Sequence, residues 1–579
     1  MLAKKIAIID SKPNRNNYAE YFDNKFDFDL YHLASDATLK RILKKNVDIE
    51  IDLEAYDWVI LVGADACKHY LKNVSVTDHS GKLVNEKFIP VINPAMVSFK
   101  PETERLWQDS RNNIIDIVTG VAKTVNLKSK VVGIQTEKEA LKFFNEALAS
   151  KNPFFALDCE TSSLYPRDGY VLGISVSFRK DYGAYISADC ITDEVSAKMQ
   201  ELIDKKTVIF HNAKFDMPFL SYHFGWVFKK FEDTMLLHYC LEENPGTHGL
   251  KQLAIKYTDY GDYEREMYDW IDSYKKAHGI LKENFTFDLI PFEIMYKYAA
   301  IDAIVTFLIY LQIKPAVDKN TKLKKVYNGI LIPASLFLMD VQDNGVPFDK
   351  SRLDFSQRIL SDEIVEASAK LYADSRIGEF EKYQGKEFNP GSVMQLRSLL
   401  FDFLKIPPTG KRTDGGEYST DAEVLQELAE FHEIPQHILD VRKLNKIKNT
   451  YIDKIIPQLN RDSRLRTNFN IHGTTSGRLS SSGKLNMQQL PRDEPAVKVC
   501  IKAKPGHKIV SMDLTTAEVY VVAVLSGDQK MMDIFRSGGD FHSAIAKQVF
   551  HLDCEVSEVK SLYPLLRQAA KSTTFGIKV

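Results

Sequence analysis

The chain has only 6 cysteines in 579 residues, at positions 67, 159, 190, 240, 500 and 554, and no two of them form a CxxC pair. This scatter argues against a disulfide framework and against the paired ligands of a structural zinc site, and it suits a reducing compartment. The opening MLAKKIAIIDSK is broken by charge within a few residues, so no secretory leader is legible. No apolar run is expected to be long enough to cross a bilayer, and a cytoplasmic protein without a membrane partner is expected. A net charge of −2 gives no bulk attraction to polyanions. What remains is an ordinary globular composition, 44% hydrophobic and 27% charged, in a chain long enough for about three or four domains.

The charge is unevenly spread. Between Val441 and Val510, 15 basic residues face 4 acidic ones, a local excess of 11. That is the footprint of a polyanion-binding groove, although a solvated basic face has the same composition. Immediately after it stands IVSMDLTTAEVYVVAVLSGD. The pattern predicts a short strand over Ile509 to Met512, Asp513 at its tip, helix caps at Thr515 and Thr516, and a helix stopped by Gly527. Asp513 could offer a metal ion a hard oxygen ligand, with Glu518 lining the same cleft. The stretch fits a plain strand-to-helix turn equally well, and its neighbours must decide.

Residues 1–125 read as a small α/β unit, with strands at Lys5 to Asp10, Trp58 to Gly63 and Phe88 to Ile92 separated by helical segments. This order faintly resembles the uracil-DNA glycosylase-like fold, with Asn93-Pro94 where that family has His-Pro. Glycosylase activity is not carried over, and an accessory scaffold is expected. A linker is expected over Thr119 to Ser129.

Residues 131–315 carry three acidic clusters. In FFALDCET, strand alternation places Asp158 and Glu160 on one face, where two carboxylates repel unless a cation lies between them. VIFHNAKFDMPFL places a strand before a turn and a helix that displays Asp216. In YKYAAIDAIVTFLIY, Tyr298 and Asp302 are four apart on one helical face. Each cluster alone also fits capping or core packing. Together, DxE, HNxxFD and YxxxD in this order resemble the DEDDy 3′→5′ exonucleases, an RNase H-like fold, and the likeness extends over FEDTMLLHYCL and HGLKQLA. The resemblance implies that Asp158, Glu160, Asp216 and Asp302 hold two Mg²⁺ ions and that Tyr298 orients the attacking water. These motifs leave RNA open as a substrate.

Residues 316–460 read as predominantly helical, with a helix closed at Asn344-Gly345, a polar loop TGKRTDGGE, and a helix over Val441 to Ile456 whose apolar stripe faces inward while Arg442, Lys443, Lys446 and Lys448 grip phosphates. TTSGRLSSSGKLNMQQLPR then offers hydroxyls, amides and Arg478 to a sugar-phosphate backbone. STDAEVLQELA, RKLNKIKNTYIDKIIP, TTSGRLSS and NMQQLP stand in the order seen in family A (Pol I-like) DNA polymerases, from a helical thumb into the palm. By that resemblance the Asp513 stretch is motif A, with Asp513 a metal-binding aspartate and Glu518 selecting deoxynucleotides. His542 and the stripe Arg567, Lys571, Phe575 of motif B would contact the incoming nucleotide. Leu514, Thr516 and Tyr520 depart from the family's usual residues, as in a divergent phage-like branch.

The fold class expected is therefore multidomain α/β and α+β: the N-terminal unit, the exonuclease domain, the thumb, and part of a palm and fingers over 461–579. The resemblance ends at Ile577, before motif C, and Lys578 and Val579 follow. The polymerase metal pair is expected to be incomplete in this chain, with a split gene, an intervening sequence or a fragment as the origin. The partners implied are DNA primer-template, dNTPs and a separately encoded C-terminal polymerase fragment, in a bacterial host cytoplasm if the gene is a phage's. A stand-alone exonuclease and a non-catalytic DNA-binding subunit are the alternatives.

Overall fold

The structure, a computed structural model, describes residues 5–11, 16–33, 51–71, 74–77, 79–85, 87–98, 103–119, 129–260, 263–413, 416–483, 485–491, 494–514 and 516–577. The central part of the expected linker, residues 120–128, lies outside them, as do Asp414, Gly415, Lys484, Arg492, Asp493, Thr515, Lys578 and Val579, to which parts of the sequence reading applied.

In the N-terminal region the apolar runs become β1 (Ile6–Asp10), β2 (Asp29–His32), β3 (Trp58–Val62) and β4 (Phe88–Val91). They form one parallel sheet in the order β2-β1-β3-β4. Helix α1 (Gly63–Tyr70) follows β3 directly, and α2 (Glu104–Thr119) places Trp107, Ile114 and Val118 in the core beside Ile8, Ile60 and Val91. β1 is buried along its whole length, as expected of a strand covered on both faces.

The second sheet has six strands: β5 (Lys130–Ile134), β6 (Phe154–Thr161), β7 (Val171–Arg179), β8 (Tyr182–Ser187), β9 (Thr207–Phe210) and β10 (Phe231–Asp233). Its order is β10-β9-β6-β7-β8-β5. β7 runs antiparallel to both β6 and β8, and β9, β10 and β5 join by parallel pairing. One face is covered by α3 (Glu137–Ala149) and α4 (Asp193–Lys205), whose Phe143, Phe144, Met199 and Leu202 meet Phe155, Leu157, Val176 and Phe210.

The other face is crossed by the 28-residue helix α7 (Phe292–Lys319). Its close approach depends on a missing side chain, since a Cβ on Gly183 of β8 would stand 2.4 Å from the Ala300 carbonyl oxygen. α7 corrects one expectation: by length and composition it is a helix that could cross a membrane. Its most apolar window is 67% buried, because a helix laid across a sheet is apolar for the same reason as one laid in lipid.

The helical region that follows includes α8 (Ile332–Asn344), closed by Gly345 at φ 61°, then α9 (Ala422–Ala429) and α10 (Glu433–Lys446). Its core gathers Phe380, Leu396, Leu399, Leu425, Ile434, Ile438 and Val441. Arg442 does not reach outward to phosphate as expected. Its guanidinium donates to the Pro390 carbonyl at 2.7 Å and the Thr420 carbonyl at 3.0 Å, so it closes the fold locally. Lys448 is likewise engaged, with Asp453 at 2.8 Å, while Lys443 and Lys446 stand exposed.

Residues 347–363 and 494–577 belong to a second compact unit. Within it Asp349 accepts an ion pair from Lys502 at 3.1 Å, and Arg352 donates to the Val499 carbonyl at 2.7 Å. Helix α11 (Ala517–Ser526) ends at Gly527 in the left-handed region, as the sequence reading anticipated. Two further expectations are corrected here. Residues 509–512 form no strand, because no neighbouring strand pairs with them among the described residues. Thr516 occupies the cap position at φ 54°, a conformation in which its side chain makes no capping hydrogen bond.

Candidate active site

Each of the three acidic motifs sits where its local structure forces it. β6 alternates, so Asp158 and Glu160 project from the same face, and a bulge between Glu160 and Thr161 re-aims the strand end. After β9 the chain turns sharply through Asn212, whose φ of 69° is one that asparagine tolerates better than most residues. Helix α5 (Ala213–Phe224) starts there. Asp233 at the end of β10 accepts from the Asn212 and Ala213 amides at 3.2 and 2.8 Å. It also accepts from the amides of Met235 and Leu236, and so caps α6 (Thr234–Leu241) as well. One buried carboxylate thus fixes two helix starts, and with them the position of Asp216 on the first turn of α5. Tyr298 and Asp302 come from α7, one turn apart.

These elements bring the four carboxylates together. Ligand oxygens of Asp158, Glu160 and Asp302 lie within 4.8 Å of one another. Asp216 adjoins them, accepting from the Cys159 amide between Asp158 and Glu160 at 3.0 Å. Ser175 on β7 donates to Asp158 at 3.4 Å. Burial, joined by the charges of Asp216, Glu160 and Asp302, pushes the Asp158 carboxyl well above the usual range. Burial and the charges of Asp302 and Asp216 take Glu160 up to about 8. Burial raises Asp216 to about 7, against the Cys159 hydrogen bonds that lower it, and Asp302 to about 6, against those of Tyr263 and Tyr298. Such a cluster is destabilised as a set of anions and relieved by a divalent cation, and its donor set of hard carboxylate oxygens suits Mg²⁺.

Tyr263 belongs to this site, and the sequence reading missed it. Its hydroxyl donates to Asp302 Oδ1, and its ring lies nearly parallel to that of Tyr298, 6.3 Å away. Burial raises both phenols well above their ordinary range, so both are donors at neutral pH. The signal available was weak: a tyrosine in TDYGDYERE, with no fixed spacing to the acidic motifs. Glu264 beside it is buried and paired with Lys251.

The polymerase-side residues are arranged differently. Arg478 lies exposed in the turn between β11 (Asn468–Asn470) and β12 (Ser480–Ser482). Asp513 and Glu518 are also exposed, Asp513 on the irregular segment before α11. His542 on α12 (Phe541–Val549) is 2% exposed, with its ring 5.8 Å from Phe575 of α13 (Pro564–Ile577). Arg567 is engaged by Asp540 at 2.6 and 3.1 Å, and Lys571 is half-buried on the same helix. The stripe Arg567, Lys571, Phe575 is therefore formed, with its first cation already paired.

The two regions correspond to two family models, that of a 3′-5′ exonuclease over residues 131–318 and that of DNA polymerase family A over residues 362–578. Along 99% of its length the chain is 44% identical to the DNA polymerase of Escherichia phage T5, covering 70% of that protein. It is 25% identical to the DNA polymerase of Bacillus phage SP01 over 92% of the chain and 66% of the relative. With DNA polymerase I of Treponema pallidum it shares 28% identity over 74% of the chain, but spans 45% of that longer protein. Among solved structures, the POL domain of Pol1 from M. smegmatis, in complex with DNA primer-template and dNTP, superposes with a TM-score of 0.58 at 24% identity, covering 77% of this chain and 71% of that one, a likeness of fold. The chain belongs to DNA polymerase family A, in its phage-like branch, and carries a 3′-5′ exonuclease domain.

Proposed function

We propose that this chain removes nucleotides from DNA 3′ ends by metal-dependent hydrolysis, as the proofreading half of a replicative, template-directed DNA polymerase acting in a bacterial host cytoplasm. The observation that carries the nuclease reading is the convergence of Asp158, Glu160 and Asp302 within 4.8 Å, with Asp216 adjoining. These four carboxylates would hold two Mg²⁺ ions, which when bound supply Lewis acidity for activating water and for the departing 3′ oxygen. The chain's own groups do the rest. Tyr298 orients the attacking water. Tyr263 fixes Asp302, and the Cys159 amide fixes Asp216. Water adds to phosphorus and the P–O3′ bond breaks; one water proton ends on the departing 3′ oxygen and the other is lost to solvent from the phosphate of the released nucleotide.

For synthesis, Asp513 is proposed as a metal ligand, Glu518 as the sugar-selecting residue, Arg478 as a primer-template contact, and His542, Arg567, Lys571 and Phe575 as dNTP contacts. Family membership supports these roles. Residues 1–125 are proposed as an accessory domain, 131–315 as the exonuclease domain, 316–460 as the thumb, and 461–579 as part of the palm and fingers. The purified chain with a 5′-labelled primer-template tests both activities. Mg²⁺-dependent shortening without dNTPs supports the nuclease. Extension with dNTPs, alone or after addition of a separately made C-terminal polymerase segment, supports the synthetic reading. Equal cleavage of an RNA oligonucleotide would redirect the substrate assignment.

A further inference from the structure

Lys214 stands two residues before Asp216 on α5, yet its ammonium serves another element. It donates to Gln342 Oε1 of α8, to Asn468 Oδ1 at 3.1 Å, and to the Phe469 carbonyl of β11. Gln342 Oε1 also accepts from the Phe469 amide at 2.8 Å. One lysine therefore ties the helix carrying Asp216 to the hairpin whose turn carries Arg478.

The strand that carries Asp158 and Glu160 is anchored to the same region. In the loop after Glu160, Arg167 pairs with Asp343 of α8 at 2.6 Å, and Asp168 accepts from Asn460 at 3.0 Å. Tyr239 of α6 donates to the Thr474 carbonyl, in the hairpin turn, at 2.7 Å. The tie at Lys214 is unusual chemically, because a largely desolvated cation is held there by neutral acceptors. An apolar joint would hold the two elements together at lower cost, so the charge points to a contact that must keep one register.

We propose that Lys214 is a positioning residue for hydrolysis at paired primer ends, transmitting the placement of the Arg478 hairpin to Asp216. A primer-template lying on the hairpin sets β11, β11 sets Lys214, and Lys214 sets the first turn of α5. A free single strand does not engage the hairpin and is cut with Asp216 held only by the Asp233 cap of α5 and the Cys159 amide. This inference rests on the nuclease reading above.

The test compares Mg²⁺-dependent removal of 3′ nucleotides from a single-stranded oligonucleotide and from the same strand annealed as a mismatched primer, in the full chain. In Lys214→Met the duplex rate is expected to fall at least tenfold while the single-strand rate changes less than threefold. Lys214→Arg should recover at least half of the lost duplex activity. Gln342→Leu should give the same selective loss, without adding to that of Lys214→Met, and serves alone if the lysine variant does not fold. Equal loss on both substrates, or no loss in either variant, overturns the proposal. Hydrolysis of neither substrate by the unaltered chain would instead remove the nuclease reading itself.

Discussion

Tyr263 and Tyr298 lie ring to ring at 6.3 Å over Asp302, the first donating to its Oδ1 and the second standing one helical turn before it. Two phenols thus govern one carboxylate, and they should be separable. Tyr263→Phe removes only the hydrogen bond, and its expected cost to stability is about 1 kcal/mol. The midpoint for Mg²⁺ activation of 3′ hydrolysis should rise severalfold, because the carboxylate loses its fixed orientation. Tyr298→Phe, which also removes a hydrogen bond to Asp302, should raise the midpoint as well and in addition lower the maximal rate, by about tenfold or more if it orients the water. Metal titrations of single-strand hydrolysis by both variants check the split, and identical curves would refute it.

The raised carboxylates make a stability prediction with a definite sign. Glu160 titrates near 8 in the fold, above its ordinary value of 4.5. Its contribution is therefore fully present below about pH 4.5 and is lost as pH rises through 8. In metal-free buffer at pH 8, Glu160→Gln should be more stable than the unaltered chain by roughly 1–3 kcal/mol, and the gain should vanish near pH 4. Thermal melts at the two pH values, with and without Mg²⁺, read this directly. Mg²⁺ should raise the melting temperature of the unaltered chain more than that of the variant.

The same shifts imply that binding of a divalent cation expels protons. Glu160, Asp216 and Asp302, near 8, 7 and 6, must be ionised to serve as ligands. Apparent Mg²⁺ affinity should climb between pH 6 and 8 and level off above, and calorimetry in buffers of different ionisation enthalpy should detect proton release. A pH-independent affinity would count against the four-carboxylate assignment.

Much of this site was legible because its logic is local. Strand alternation fixes Asp158 with Glu160, helical spacing fixes Tyr298 with Asp302, and an asparagine in the left-handed region launches the helix of Asp216. Tyr263 was not legible, since only the folded loop brings it to Asp302. The failures share a cause. Ile509 to Met512 has the composition of a strand, but a strand also needs a neighbour. Arg442 counts as a phosphate-seeking charge until two carbonyls from distant segments claim it. The membrane-length apolar helix α7 is a core helix because a sheet lies under it.

Arg442 supplies a test of that last distinction between charge and role. Arg442→Met should destabilise the chain by about 1–3 kcal/mol, because two carbonyls lose a charged donor. It should leave the salt dependence of DNA affinity unchanged. Lys446→Ala, at an exposed position, should hardly affect stability, and should reduce the log–log salt slope by about 0.9 if it meets a phosphate. Filter-binding or anisotropy titrations across salt concentrations compare them.

Gly183 tests how tightly the sheet sets α7. A methyl group there would meet the Ala300 carbonyl at 2.4 Å, so Gly183→Ala must move the helix that carries Tyr298 and Asp302. The expected cost is about 1–3 kcal/mol of stability. Exonuclease rate should fall further than that loss explains at a temperature where the variant is fully folded.

The most direct measurement is gel resolution of a 5′-labelled oligonucleotide incubated with the purified chain and Mg²⁺, beside Asp158→Ala. The expected result is a ladder shortening one nucleotide at a time from the 3′ end, abolished by EDTA and by the substitution. An intact oligonucleotide with the unaltered chain, or the same ladder from Asp158→Ala, would contradict it.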